Sequence, residues 1–372
     1  MSKYNLVLLS LFLFVLMSCK SEDEISQIDY NTKPFNIKIG AEGINSHYKF
    51  VVYNKKGESV LHYYDWMRKR ITLINFDDKK IVDHIPFNDA KYPINGLYHM
   101  VKTDSSYHAI RNIDYFYWLA PNGDVDYFKD GKSFKGTFNE KGQYRPVDIE
   151  NSNSDNMNFH VVSRKANHDL DFLKSLQFAH YDFLDEKVKI FPTEVFGSEY
   201  VGKDQTLAYR SDPFLLSINN INIIHYPFTA DLQIIYSDTK NSKIIKYSEV
   251  KASIPDMEPI TSAELEGAVN SLRIKKLDEP ISYYPLIYDE FRKFYYRPYM
   301  LARDLDVEKN ADYSLNLLVF NHKFELLGQL ELGDKYMPFL YITDDAVYIR
   351  KKEQRESYIE MDELIFEVEK FL

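Results

Sequence analysis

The sequence contains a single cysteine, Cys19, and only 13 glycines among its 372 residues. One cysteine excludes an intramolecular disulfide, so this is not a small secreted fold held together by such bonds. The sequence has no glycine-rich phosphate loop and no Gly-x-Ser-x-Gly motif. Nucleotide-binding and serine-hydrolase sites of the recognisable kinds are therefore not expected.

Acidic residues outnumber basic ones: the sequence has 56 Asp and Glu and 46 Lys and Arg, for a net charge of −10. Nucleic acid is not an expected partner, since phosphate backbones are bound by basic faces. The ten histidines form no His-x-His or His-Glu-x-x-His pattern. The alternating acids of residues 303–312 lack the glycine and the final glutamate of a calcium loop. We expect no metal and no other cofactor.

The longest apolar run is short. It extends from Asn5 to Met17, about 13 residues, whereas a membrane-spanning helix needs roughly 20. With Lys3 before it, this run predicts a signal peptide over residues 1–18. The following Leu-Met-Ser-Cys resembles the lipobox of bacterial lipoproteins, which implies lipidation at Cys19 and attachment to a membrane. The alternative is an ordinary secretory signal beside a free cysteine.

A charged segment follows the cysteine, with Lys20, Glu22, Asp23 and Glu24. It resembles the export signals that send lipoproteins of Bacteroidetes-type bacteria to the outer cell surface. The simpler interpretation is a solvated tether. Residues 19–33 are predicted to be a lipidated flexible tether, and residues 34–372 the folded domain. The expected location is the outer membrane, with the protein exposed at the cell surface.

Aromatic residues are abundant, at 15% of the chain. Most of the sequence consists of short alternating segments separated by turn residues, which is typical of β-sandwiches, barrels and propellers. Residues 47–87 alone hold four such segments, the size of one propeller blade. About six units of this kind predict an all-β, six-bladed β-propeller. The segment PFNIKIG (residues 34–40) is expected to close the last blade, and one short helix is predicted over residues 260–277. A pair of stacked β-sandwiches is the alternative.

Several segments together resemble a known family. These are the lipobox, PFNIKIG, RITLINFDDKKIVDHI and YYPLIYDEFRKFYYRPY. They look like an uncharacterised lipoprotein family of Bacteroidetes-type bacteria whose members are treated as six-bladed, TolB-like propellers. The resemblance implies a fold and a location, and it implies no activity.

The stretch YDEFRKFYYRPY is the densest candidate site, with Asp289, Arg292, Tyr295 and Arg297 as candidate binding residues. Aromatic and guanidinium groups in alternation suit planar or anionic ligands. The alternative is structural: Phe294 and Tyr296 would pack between blades, and the aspartate and first arginine would lock a turn.

A second candidate is Trp66 with Arg68, at a strand end that runs into a basic loop. Its simpler interpretation is a tryptophan that closes a hairpin.

The sequence thus predicts a lipid-anchored module that binds a glycan, a peptide or another protein. Two alternatives remain open. One is a hydrolase or lyase that acts on an extracellular glycan or peptide in the propeller funnel. The other is a periplasm-facing, TolB-like envelope factor. We expect that the protein is not an enzyme.

Overall fold

The computed structural model describes residues 25–39, 50–55, 58–65, 68–86, 99–102, 107–111, 115–119, 125–127, 144–152, 156–163, 177–182, 187–192, 196, 198–207, 213–218, 221–236, 241–253, 259–261, 263, 281–304, 312–355 and 357–367. Within them the chain forms six antiparallel sheets of four or five strands and one sheet of two strands. Among these residues, no helix has the length and apolar character needed to cross a bilayer.

The first strand, β1 (Tyr30–Lys38), belongs to the last sheet. Sheet 1 contains β2 (Phe50–Lys55), β3 (Glu58–Asp65), β4 (Arg70–Asn75) and β5 (Lys80–Pro86). Sheet 2 contains β6 (His99–Lys102), β7 (Tyr107–Arg111), β8 (Tyr115–Leu119) and β9 (Val125–Tyr127). Sheet 3 contains β10 (Tyr144–Ser152), β11 (Asn156–Ser163), β12 (Gln177–Asp182) and β13 (Lys187–Pro192).

The second half repeats this order. β14 (Gln205–Thr206) precedes sheet 4, which contains β15 (Phe214–Ile218), β16 (Ile221–His225), β17 (Leu232–Tyr236) and β18 (Ser242–Ile245). β19 (Ile260–Thr261) pairs with β14. Sheet 5 contains β20 (Ile281–Tyr283), β21 (Ile287–Asp289), β22 (Phe294–Asp304), β23 (Asp312–Phe320) and β24 (Leu326–Gly333). Sheet 6 contains β25 (Tyr336–Ile342), β26 (Val347–Lys351), β27 (Tyr358–Phe366) and β1.

Consecutive sheets pack face to face. Separate apolar cores join sheet 4 to sheet 5, sheet 5 to sheet 6, and sheet 6 to sheet 1. Near the centre the first strands approach one another: β2 contacts β25, and β10 contacts β6 and β15. This is a propeller-like arrangement rather than two stacked sandwiches, because the described sheets follow one another in chain order and sheet 6 packs back onto sheet 1.

The N-terminal strand closes the ring, as the sequence predicts. β1 pairs along its whole length with β27, from Tyr30 opposite Phe366 to Lys38 opposite Tyr358. Its buried residues Phe35 and Ile37 enter the core shared by sheets 6 and 1. Alternation in β1 therefore places apolar side chains against the core, and the pairing covers an edge that would otherwise be exposed.

The segment before β1 is packed rather than free. Ile25 enters the core between sheets 4 and 5, and Ile28 enters the core between sheets 5 and 6. Gln27 forms a parallel bridge with Gln329 of β24. The predicted flexible tether, residues 19–33, therefore ends too late: its described part, from Ile25 onward, belongs to the folded domain because its isoleucines are buried.

The predicted helix over residues 260–277 begins wrongly. Ile260 and Thr261 form β19, because they pair with Thr206 and Gln205 of β14. Residues 264–277 lie outside the described part of the chain. A short helix, α1 (Ser248–Ser253), lies earlier and was not predicted; it follows sheet 4 and buries Val250. Its six residues are too few for a helical period to be recognised in the sequence.

Gly328 is the position on which packing of the N-terminal segment depends. Its φ is +154°, and a β-carbon there would lie 2.4 Å from the carbonyl oxygen of Ser26. We expect Gly328→Ala to destabilise the protein by about 1–3 kcal/mol and to expose the N-terminal segment to protease, because the segment must move. Urea denaturation and limited proteolysis measure both effects. Gly202→Ala is the control, since its close neighbour is the flexible Gln205 side chain. Equal losses in both variants would contradict this role.

Candidate functional site

A cavity of about 640 Å³ lies where the first strands of sheets 1, 4, 5 and 6 converge. Its wall is mainly aliphatic: Val52 of β2, Leu216 and Ile218 of β15, and Leu340 and Ile342 of β25. Each of these strands pairs with its sheet on one side only. The other strand edge, with its peptide donors and acceptors, therefore faces the cavity. The volume is typical of small-ligand pockets, about 300–1,000 Å³.

Charged and aromatic side chains lie at one end of the cavity. Tyr288, Glu290, Phe291 and Lys293 line it there and belong to β21 and the turn that follows. The Lys293 ammonium lies 5.9 Å from the centre of the Tyr288 ring. Phe291 is 38% exposed, an unusual position for a large apolar side chain. This end offers an aromatic face, an ammonium and a carboxylate to a ligand.

The turn that carries these side chains is fixed by Asp289. Its Oδ1 accepts hydrogen bonds from the backbone N–H groups of Phe291 and Arg292, both at 3.0 Å. Its Oδ2 accepts from Arg292 Nη1 at 3.0 Å and from the Tyr296 hydroxyl at 3.2 Å. The buried carboxylate satisfies the turn backbone, so it leaves the residues beside it free to point outward.

Arg292 joins two sheets. Its Nη1 donates to the carbonyl of Thr343 and its Nη2 to that of Asp344, each at 3.1 Å, across to the turn between β25 and β26. These contacts of Asp289 and Arg292 are those that the structural alternative predicts, and their role in binding stays a prediction. Phe294 and Tyr296 likewise lie in the core between sheets 5 and 6. Burial and the Asp289 carboxylate raise the pKa of Tyr296.

Arg297 is fully buried and binds the neighbouring sheet. Its Nη1 donates to the carbonyl of Ala230 at 2.5 Å and its Nη2 to that of Tyr226 at 2.8 Å. Its guanidinium lies 4.7 Å from the centre of the Tyr283 ring. Arg297 is therefore enclosed between sheets 4 and 5 and joins them. Its role in ligand binding stays a prediction.

Tyr295 is also a core residue. It is 4% exposed and stacks on Phe324 with ring centres 4.6 Å apart. Burial, with a smaller effect of Tyr288, raises its pKa to about 12. Its contact with Tyr288, at 4.9 Å between ring centres, links the core to the cavity wall. Tyr295 therefore supports the cavity from behind rather than lining it.

The loop that Arg297 holds contains further buried polar groups. His225 Nε2 accepts a hydrogen bond from the Leu286 N–H at 2.8 Å, next to the cavity. Burial, and then the charge of Arg297, lower the pKa of His225 well below its usual value. Asp231 Oδ1 accepts from the Tyr247 N–H at 3.1 Å, and its Oδ2 accepts from the Tyr200 hydroxyl. Because its pKa is low, His225 is neutral, and its Nε2 can therefore accept the hydrogen bond from Leu286.

The described member of the second predicted pair, Arg68, is not brought to this site. Arg68 is exposed and lies in the turn between β3 and β4. The cavity mouth lies beside the turn between β21 and β22, that is, between a first and a second strand. Turns after first strands and turns after second strands lie at opposite ends of an antiparallel sheet. Trp66, Cys19, Lys20 and the acids of residues 22–24 lie outside the described residues.

The sequence analysis missed the residues that line the cavity. Leu216, Ser217 and Ile218 line the cavity from β15, a strand with no unusual composition. The Ser217 hydroxyl donates a hydrogen bond to Asn222 Oδ1. Glu290, Phe291 and Lys293 lie within the stretch YDEFRKFYYRPY but are not among its candidate binding residues. The usable signal was position: the first strand of each four-strand unit faces the axis of a propeller.

Ligating side chains do not accumulate in the part of the chain that the structure describes. No group of three or more His, Cys, Asp or Glu side chains there is placed to hold a metal ion. The described cavity lining offers one carboxylate, Glu290, and one amine, Lys293.

The family profile described as "Domain of unknown function (DUF4221)" matches residues 128–329, more than half of the chain. The chain belongs to this family. A comparison of this DUF4221 protein with curated protein sequences finds no match. The matched region spans sheets 3 and 4 and most of sheet 5, including the turn at Asp289 and the buried Arg297.

Solved structures are similar to this DUF4221 protein over nearly its whole length. A crystal structure of a DUF4221 family member from Bacteroides vulgatus has a TM-score of 0.69 at 14% identity, covering 92% of this chain and 99% of that one. This likeness shows the fold.

Two further structures score below 0.5 and support no inference. A candidate exported protein from Bacteroides fragilis has a TM-score of 0.49 at 9% identity, covering 94% of this chain and 98% of that one. The extracellular domain of a candidate hybrid two-component system from B. thetaiotaomicron has a TM-score of 0.45 at 11% identity, covering 92% and 43%.

The buried position of Arg297 gives a direct test. We expect Arg297→Ala to lower the free energy of unfolding by about 2–5 kcal/mol, because the carbonyls of Tyr226 and Ala230 lose their donors. Arg68→Ala, at an exposed turn, should change it by less than about 0.5 kcal/mol. Guanidinium denaturation of both variants measures the difference. An Arg297→Ala protein as stable as wild type would favour the binding role of this residue over the structural one.

Proposed function

We propose that this DUF4221 protein is a lipid-anchored binding module of the outer membrane, built as a six-bladed β-propeller. The six sheets of four or five strands are its blades. Residues 1–18 are a signal peptide, Cys19 carries lipid, and residues 20–24 tether the domain. Lys20, Glu22, Asp23 and Glu24 direct export to the cell surface. The proposed partner is a ligand from outside the cell, held in the central cavity.

The cavity carries this proposal. It combines an aliphatic wall, the edge strands of the surrounding sheets and a mouth with Tyr288, Glu290 and Lys293. Such a pocket, apolar with a few convergent polar groups, is the usual form of a binding site. Strand edges suit a peptide, which can pair with them through its main chain. A glycan suits this lining less well, since most of the wall is aliphatic and offers little hydrogen bonding.

The hydrolase alternative needs at least two positioned acid, base or nucleophilic groups. The single carboxylate and single amine among the described lining residues suit recognition of charge at the ends of a ligand. Binding is therefore the function that these side chains support best.

An aromatic anion tests the cavity directly. We expect 8-anilinonaphthalene-1-sulfonate to bind the folded protein at one saturable site, with its rings in the aliphatic cavity and its sulfonate near Lys293. Lys293→Asn should weaken binding about fivefold, and Ile218→Trp should abolish it by filling the space. Asparagine is chosen because residue 293 has φ 61°, a conformation that asparagine tolerates. Fluorescence titration gives the affinity and stoichiometry.

Two surface variants serve as controls. Lys69→Asn removes an exposed lysine that also has a positive φ, 50°, and lies at the opposite end of the sheets, and Ile244→Trp adds an indole on the exposed outer strand β18. Both should bind like wild type. Equal affinity of all variants, or binding at several sites, would contradict a ligand site in this cavity.

Anchoring and export can be separated in intact cells. We expect Cys19→Ala to release the protein from the membrane fraction, because acyl chains supply the attachment. Replacing Glu22, Asp23 and Glu24 together with Ala should keep it anchored and protect it from added protease. A wild-type protein that resists the protease would instead support the periplasm-facing alternative.

A further inference from the structure

One row of paired residues defines the end of sheet 5 at which the cavity opens. Tyr288 pairs with Tyr295, Tyr295 pairs with Phe320, and Phe320 pairs with Leu326. The turns 290–293 and 321–325 therefore lie at the same end of the sheet. Turn 343–346 of sheet 6 lies at this end too, because Arg292 donates hydrogen bonds to the carbonyls of Thr343 and Asp344. We call these three turns the mouth rim.

The N-terminal segment enters the domain at this same rim. It runs parallel to β24: the Gln329 N–H donates to the Ser26 carbonyl, and the Ile28 N–H donates to the Gln329 carbonyl. Following the strand backward from Ser26 leads toward Leu326, the residue beside turn 321–325. Ile25 shares its core with Phe324 of that turn. Ile25, the first described residue, therefore lies at the mouth rim.

The distance from this point to the proposed lipid is short. Six residue steps separate Cys19 from Ile25, and an extended chain covers at most about 3.6 Å per residue, or about 22 Å in all. The packing of Ile25 and Ile28 fixes where the tether begins. The opposite rim lies about 20 Å from Ile25, since a strand of seven residues rises about 3.3 Å per residue. To place the lipid there, the tether would have to run back along the whole sheet in an almost fully extended form, whereas the mouth rim needs no such path.

We infer that the mouth rim is the membrane-proximal surface of the protein, so that the cavity opens toward the lipid bilayer to which Cys19 is attached. This inference rests on the proposed lipidation of Cys19. Its partner is the lipid surface itself.

The chemistry of the rim agrees with such a surface. Phe291 is an exposed aromatic side chain at the mouth, and Lys293 beside it places an ammonium next to the Tyr288 ring. An aromatic residue near a bilayer lies well in the interfacial region. The acids of the three turns, Glu290, Glu325, Asp344 and Asp345, favour a lipid surface without net negative charge. The apolar cavity behind them can accept an apolar group that leaves the membrane.

Energy transfer to labelled lipid measures which rim lies near the membrane. Lipidation occupies Cys19, so one introduced cysteine carries the donor dye. The purified full-chain lipoprotein is placed in phosphatidylcholine vesicles that contain a rhodamine-labelled lipid. We expect transfer from a dye on Phe291→Cys to exceed transfer from one on Glu353→Cys about twofold or more. Residue 353 is an exposed position of the turn between β26 and β27, at the opposite rim.

A tether variant shows whether the short connection sets the orientation. Inserting a flexible Gly/Ser segment of about 20 residues between Glu24 and Ile25 should bring the two transfer efficiencies together, because the domain can then rotate. Equal or reversed efficiencies with the native tether would overturn the inference. Mass spectrometry of the same samples reports acyl chains on Cys19; their absence would defeat the proposed anchor, a failure distinct from a wrong orientation.

Discussion

Pairing of β1 with β27 is the contact on which the rest of the structure depends. In a ring of sheets, every face is buried only if the last sheet meets the first. β1 completes sheet 6 and contributes Phe35 and Ile37 to the core that also contains Leu61 and Ile74 of sheet 1. The strand joins the two ends of the described chain, so ring closure is a long-range contact that local sequence cannot form. The cavity exists because closure holds β25 and β2 beside each other.

Polar groups buried between sheets add a second constraint. The loop between β16 and β17 has carbonyls at Tyr226 and Ala230 that need donors away from water, and Arg297 supplies them from sheet 5. Between sheets 5 and 6, Arg292 donates to the carbonyl of Thr343 and is held in place by the Asp289 carboxylate. Unsatisfied buried groups are costly, so these bonds fix how neighbouring sheets meet. The stretch YDEFRKFYYRPY therefore joins sheet 5 to both of its neighbours, sheets 4 and 6.

Strand alternation allowed the all-β class and the closing strand to be predicted, because apolar residues at every second position report which face is buried. The same pattern placed Phe294 and Tyr296 on one face of β22. It could not tell whether Arg297 meets a ligand or a neighbouring sheet, since both environments favour arginine beside aromatics. Nor could it find the cavity, whose wall combines Val52, Leu216 and Leu340 from three distant strands. Burial of Ile25 was missed because charged residues precede it and suggest a free tether.

The turn after β21 in sheet 5 contains two kinds of residue: some hold the turn in place, and others line the mouth of the cavity. Asp289 uses its carboxylate to satisfy the turn, and Arg292 attaches that turn to sheet 6. Glu290, Phe291 and Lys293 are then presented from a rigid backbone at the cavity mouth. Rigid presentation lowers the entropy lost on binding. The N-terminal segment leaves at the same rim, packed by Ile25 and Ile28 on either face of the sheet. With the proposed lipid attachment at this rim, the mouth faces the membrane, and that orientation restricts which molecules reach the cavity. In that arrangement a molecule confined to the membrane surface meets the mouth at high local concentration, whereas a bulky soluble one must enter the gap between domain and membrane.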